Sequence, residues 1–299
     1  MTLYCVPEDQ YYAQCHLPRS ALRHKYMMSG ILALAAMDLA RCSQGKDSAR
    51  YLCAALEYYN EASADFRIQL GNVNRENIDL LYYFGSMAGT IHFLMPSQPS
   101  SHIDRFVGLI EILLGAFKIV KYGVRWLIEG PTSFKTVLKL TQTNVAVTDP
   151  DSLIALDRLS SVSSQLLPGL NDELTSDGEL PLPEVLMYRV LLSQVRDCFA
   201  EAELERMKCF WMSSASIGGW GFANALANRE PLSLFIMLHL SVLLDRSSKD
   251  QFAWWLGSAG KDLIEEISGI LQQSPIVQIP GGLEAIDWAR SQVGLPMLI

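Results

Sequence analysis

The spacing of apolar residues constrains the fold of this 299-residue chain more than any other feature. In nearly every segment these residues recur at intervals of three and four. Met28, Leu32, Ala35 and Leu39 are one example, and this spacing places them on one face of a helix. We find no run of alternating polarity, which is the pattern expected of a half-buried strand. The spacing therefore predicts an all-α fold, a multi-helix bundle in which short loops join antiparallel neighbours.

Caps and breakers divide the chain into helices. Asp149-Pro150 has the pattern of an N-cap followed by proline at the first helical position, and Glu230-Pro231 opens another helix. The most polar and turn-rich stretch, 168–183, predicts a linker between an N-terminal helical half, 1–167, and a C-terminal helical half, 184–299. The predicted helices cover about 28–40, 46–70, 74–96, 103–120 with a second segment that reaches 129, 151–167, 183–212, 231–244 and 251–271.

Composition excludes several classes of protein. With 49% hydrophobic and 19% charged residues, the chain can bury a large core. Its net charge is −8 and it has no long basic run, so we expect no direct binding to nucleic acid. We expect no membrane span, because no apolar run is long enough. The first ten residues lack the pattern of a secretory signal, so we expect an intracellular protein of the nucleus or cytoplasm.

The cysteines and histidines show no metal-binding or catalytic pattern. The six cysteines lack CxxC spacing, and Cys42 and Cys53 are predicted to be buried free thiols. His92 and His239 lie in apolar helical stretches without a second ligand at i+4, so each is predicted to be a core histidine. We therefore predict no metal and no cofactor. No GxSxG motif occurs, and the sequence assigns no catalytic residue.

A further pattern is carried by four helical segments, 16–40, 51–70, 102–131 and 234–267. In order and spacing, these segments resemble the regulatory domain of fungal zinc-cluster transcription factors. The third segment carries the matching positions Leu114, Gly115, Trp126, Gly130 and Pro131, and the fourth contains the double tryptophan Trp254-Trp255. We expect this protein to lack the six-cysteine DNA-binding module that this family attaches upstream. The resemblance is thus to the sensing half of such a regulator.

The pattern is most similar to the sterol-sensing branch of that family. This resemblance implies a helical domain that often self-associates and encloses an apolar pocket in its C-terminal half. Helices near 183–212, 231–245 and 251–271 would form the pocket, with Tyr188 and His239 orienting a ligand through one hydroxyl or carbonyl. The candidate ligand-binding residues are Tyr188, Trp211, Trp220, Met237, His239, Trp254 and Trp255.

Two functions remain open at this point. The first is a regulatory protein that binds a hydrophobic small molecule of the sterol, terpenoid or polyketide type together with a protein partner, either a second copy or another regulator. The alternative is an enzyme of fungal secondary metabolism that uses the same pocket to template a cyclisation, cycloaddition or isomerisation without cofactor. Proximity and orientation alone can contribute ~7–11 kcal/mol, so such an enzyme needs no nucleophile and leaves no motif. A fragment of a full activator would carry the same pattern.

Overall fold

The computed structural model describes residues 6, 10–95, 101–130, 132, 134–141, 145–170, 182–207 and 209–298. These residues form twelve α-helices and no strand, which confirms the all-α prediction. A π-helical turn precedes the first helix, and four short 3₁₀ helices lie between later ones. The α-helices are α1 (Leu17–Ala21), α2 (Lys25–Cys42), α3 (Gly45–Gln69), α4 (Ile78–Leu94), α5 (His102–Glu129), α6 (Phe134–Thr141), α7 (Pro150–Leu166), α8 (Pro183–Leu204), α9 (Ser213–Ala227), α10 (Pro231–Ser248), α11 (Ala259–Leu271) and α12 (Gly282–Gln292).

The chain divides into two compact units. The first comprises Met1–Pro99 and Gly108–Thr141, and the second comprises Ser100–Val107 and Gln142–Ile299. This division differs from the boundary drawn at 168–183, because α7 packs against α10 and α12 and so belongs to the second unit. Part of the expected linker is also packed. Leu170 is buried, and its carbonyl oxygen accepts a hydrogen bond of 2.8 Å from Nε of Arg189. Residues 171–181 of that linker lie outside the described part of the chain.

The first unit is built on the pairing of α2 with α3 and on the buried helix α4. Lys25 at the start of α2 forms an ion pair with Glu61 in the second half of α3, so the two helices run antiparallel. All of α4 from Ile78 to Ile91 is buried except the position of Asp79. On α2, Leu32 and Leu39 lie on the exposed side. The apolar stripe that we identified on this helix is therefore its outer face.

The second unit is organised around α10. Every residue of this helix from Leu232 to Leu244 is buried, as expected of a helix that is apolar on all sides. Prolines start α7, α8 and α10 as predicted, and the Asp149 carboxylate caps α7 by accepting a 2.9 Å hydrogen bond from the Ser152 amide. The structure corrects two bounds. The helix predicted over 183–212 ends at Leu204, and the one predicted over 251–271 begins at Ala259.

Three predictions of burial are wrong. Cys42, Cys53 and His92 are all exposed, because each lies on the outer side of its helix. Residue type favoured burial, but tertiary packing decides which face of a helix is covered. The prediction for His239 is confirmed, since this side chain is fully buried. None of the described helices combines the length and apolar content needed to cross a bilayer.

Candidate functional site

The seven residues predicted to bind a ligand lie in different surroundings. Five are buried in the second unit, whereas Trp254 is half-buried and Trp220 is 44% exposed. The buried members are Tyr188, Trp211, Met237, His239 and Trp255. Tyr188, Trp211 and His239 hydrogen-bond to three different residues, Glu230, Ser247 and Phe235. The Trp211 indole N–H, for example, donates to Oγ of Ser247 at 3.2 Å. Most of these side chains are therefore part of the helical core.

An open groove lies next to one of them, between α8 and α9. Its volume is about 620 Å³. The walls are mostly apolar, and the polar side chains in them are Glu184, Asn224 and Glu230. Among the described lining residues there is no lysine or arginine. The groove is lined by Pro183, Glu184, Leu186, Met187, Val190, Ile217, Gly218, Gly221, Asn224, Ala225 and Glu230.

The apolar wall on α8 comes from a second stripe of that helix. Leu186 and Val190 are four residues apart, exposed and part of the groove lining, and the exposed Leu182 directly before the helix continues the same spacing. The opposite side of α8, which includes Val185 and Phe199, is buried. A helix of a soluble domain normally presents polar residues on its solvent side, so this second stripe marks a surface suited to binding. Sequence reasoning identified the buried stripe and missed the exposed one.

Glycines bring α9 close to α8 and form the floor of the groove. A Cβ atom on Gly221 would lie 2.7 Å from the Met187 sulfur, and one on Gly218 would lie 3.1 Å from Cδ2 of Leu191. Gly219 has φ of 59° and ψ of −155°, which breaks α9 into two helical segments. The sequence GGWG at 218–221 therefore lies within a kinked helix that packs against its neighbour.

Tyr188 reaches the groove through Glu230. The Tyr188 ring is buried, and its hydroxyl donates a 3.1 Å hydrogen bond to Oε2 of Glu230, which lines the groove. Burial raises the pKa of Tyr188 well above its ordinary value, and the neighbouring carboxylate of Glu230 adds to this increase. Tyr188 is therefore a neutral donor that holds the Glu230 carboxylate in place. Among the predicted site residues, Tyr188 is thus linked to the groove by a hydrogen bond.

Two smaller cavities have different characters. One of about 130 Å³ in the first unit is apolar and lies between residues of α1, α2 and α4, including Leu17, Ile31 and Met87. Another of about 440 Å³ in the second unit includes Arg229. The Arg229 guanidinium already donates to the Asp104 carboxylate and to Oγ of Ser101, so its charge is neutralised within the fold. Neither cavity matches the groove in size.

The described residues contain no group of three or more His, Cys, Asp or Glu side chains arranged to hold a metal ion. Comparison with known proteins gives no match to a family model, to a curated protein or to a solved structure. The resemblance noted in the sequence thus stays a prediction, and the groove between α8 and α9 is the candidate site on geometric grounds.

Proposed function

We propose that this chain is a regulatory protein that acts by binding a hydrophobic small molecule in the groove between α8 and α9. The observation that carries the proposal is the groove itself. Its volume of about 620 Å³ lies within the range of roughly 300–1,000 Å³ that is typical of small-molecule sites. Its composition also fits, because such sites combine apolar walls with a small number of polar groups.

The polar groups of the groove narrow the choice of ligand. Glu184 and Glu230 provide carboxylate oxygens that accept hydrogen bonds, and Asn224 provides an amide. We therefore expect an apolar molecule with at least one donor, such as the hydroxyl of a sterol, a terpenoid alcohol or a hydroxylated polyketide. An anionic ligand would be repelled by the two carboxylates, and the described lining residues offer no cation to compensate.

The regulatory part of the proposal rests on the resemblance to the sensing domain of zinc-cluster factors. This part of the proposal includes a protein partner, either a second copy or another regulator, which responds when the ligand is bound. The enzymatic alternative receives less support from the geometry. Templating a cyclisation needs a closed site that holds the substrate in one conformation away from water, whereas this groove lies open on the surface.

A thermal-shift screen tests the proposal. The panel would contain ergosterol, farnesol and emodin as a sterol, a terpenoid alcohol and a polyketide, with farnesane as a hydrocarbon lacking a donor. We expect at least one hydroxylated compound to raise the melting temperature in a concentration-dependent way. It should also change the fluorescence of Trp220, which stands exposed on α9 beside the groove. If no compound has either effect, the proposed class of ligand is wrong.

A further inference from the structure

His239 is fully buried, and Trp288 is half-buried with its indole nitrogen out of contact with solvent; each ring has a nitrogen that the fold does not use. His239 lies on the central helix α10 and Trp288 on the last helix, α12. Their rings stack, with centroids 5.6 Å apart and planes inclined by 23°. Within the described residues, neither Nε2 of His239 nor Nε1 of Trp288 has a hydrogen-bond partner, and both atoms are buried. Most buried polar side-chain atoms in native proteins are paired, so two such atoms on adjacent rings need an explanation.

The hydrogen bond of the other imidazole nitrogen fixes the tautomer of His239. Nδ1 lies 2.8 Å from the carbonyl oxygen of Phe235. A carbonyl oxygen can only accept, so Nδ1 must carry the proton. Burial favours the neutral ring. Nε2 therefore carries no proton, and its lone pair can accept a hydrogen bond.

Trp288 has the complementary requirement. Its indole Nε1–H can only donate. A carbonyl oxygen would satisfy the indole but not Nε2, and an ammonium group would satisfy Nε2 but not the indole. A hydroxyl group does both, because it accepts through oxygen and donates through its own hydrogen.

We propose that His239 and Trp288 together bind one hydroxyl oxygen, either a water molecule or an alcohol group of a small molecule, between α10 and α12. One oxygen can bridge two nitrogens that lie up to about 6 Å apart, since each N···O hydrogen bond spans about 2.9 Å. Stacked rings with centroids 5.6 Å apart are compatible with that span. This site is separate from the groove between α8 and α9 and does not depend on the function proposed for it.

The surroundings hold both rings in place. Phe235 meets the His239 ring edge to face at 5.0 Å, and Phe199 of α8 packs against Trp288 at 6.0 Å. Arg246 of α10 joins this helix to α12 through a 2.9 Å hydrogen bond from Nη2 to Oε1 of Gln292. The two nitrogens therefore belong to elements that are tied together, as a preorganised binding site requires.

A crystal structure of the full chain at about 1.5 Å resolution tests this proposal directly. We expect a density peak at 2.7–3.2 Å from both Nε2 of His239 and Nε1 of Trp288. An isolated spherical peak identifies water, and continuous density identifies an alcohol ligand, which mass spectrometry of the denatured protein would detect independently. Absence of a peak bridging the two nitrogens, or a protein atom bonded to either one, overturns the proposal.

NMR of the protein in solution gives a second readout that does not depend on crystals. The Trp288 indole proton should show a nuclear Overhauser effect to a bound hydroxyl, and this signal should disappear in His239→Phe. Trp288→Phe keeps an aromatic side chain but removes the N–H donor, so it should change the ¹⁵N shift of Nε2 in His239. Unchanged signals in both folded variants would contradict a shared hydroxyl.

Discussion

The Tyr188 hydroxyl donates a 3.1 Å hydrogen bond to Oε2 of Glu230, and this bond links the buried face of α8 to the residue that directly precedes α10. It also sets the position of one carboxylate in the groove. The arrangement gives Tyr188 a positioning role, because its ring is in the core and only its partner lines the groove.

We expect Tyr188→Phe to lower the free energy of unfolding by about 1–3 kcal/mol, because a hydrogen bond to a charged acceptor is lost without a change in ring size. Urea unfolding monitored by circular dichroism measures this. Tyr122→Phe is the matched control, since Tyr122 is 76% exposed and its substitution should change stability by no more than about 0.5 kcal/mol. Equal stability of the two variants would remove the energetic role of the Tyr188–Glu230 bond.

His239 should make stability depend on pH. Its burial lowers the pKa from 6.5 to about 4, while the hydrogen bond to Phe235 opposes this decrease only in part. Between these two pH values the unfolded chain binds a proton that the folded chain does not, so the free energy of unfolding falls as pH falls from about 6.5 to about 4. Through His239 alone, the free energy of unfolding at about pH 4 is about 3 kcal/mol lower than it is above pH 6.5.

The variant His239→Phe isolates this contribution, because all carboxylates titrate in both proteins. We expect the difference in unfolding free energy between wild type and variant to change by about 3 kcal/mol across this pH window. Urea titrations at several pH values would measure it. Parallel pH profiles would show that His239 is not buried in its neutral form.

Glu201 is a buried carboxylate that depends on Arg206. Only 3% of Glu201 is exposed, and both Nε and Nη2 of Arg206 donate to its carboxylate, the former at 3.1 Å. Arg206→Met would leave a buried charge without its partner, and we expect a loss of about 3–5 kcal/mol in unfolding free energy. Arg196→Met removes the partner of the exposed Asp157 and should cost no more than about 1 kcal/mol. Similar losses of unfolding free energy for the two variants, measured by calorimetry, would contradict this distinction between a buried and an exposed ion pair.

Two helical glycines should respond differently to the same substitution. Gly269→Ala on α11 adds a methyl group where no atom lies within 4 Å, so we expect a gain of about 0.5–1 kcal/mol from helix propensity. Gly221→Ala on α9 places its methyl group 2.7 Å from the Met187 sulfur, so the Met187 side chain must move. We therefore expect no gain in the free energy of unfolding from this substitution. Thermal unfolding of both variants measures this, and equal stabilisation would mean that Gly221 is not needed for close packing of the helices.

Much of the fold could be predicted from the sequence, because helix boundaries depend on local chemistry. Pro150, Pro183 and Pro231 start helices as expected, and Asp149 caps as its side chain allows. The end of α8 was misplaced by several residues because Glu205 adopts a left-handed conformation with φ of 51°. Glutamate gives no local signal for this conformation, unlike glycine.

The groove and the His239–Trp288 pair could not be predicted from the sequence, for a different reason. Leu186 and Val190 have the same residue types as the core, so composition does not distinguish an exposed apolar stripe from a buried one. Trp288 lies on α12, a short helix that we did not predict. Both features depend on which helices meet in space, and a single sequence does not provide that information.

The central claim is that a hydrophobic molecule binds in the groove between α8 and α9. Isothermal titration calorimetry of ligand binding tests this claim most directly. It compares the wild type with Ile217→Asp in the groove wall and Ile154→Asp on α7, where the side chain is also exposed. With the hydroxylated compound that gives the largest thermal shift, we expect Ile217→Asp to weaken binding at least tenfold, or about 1.4 kcal/mol, because a charge replaces apolar wall. Ile154→Asp should bind as the wild type does. Equal affinities of all three proteins would contradict binding in the groove between α8 and α9.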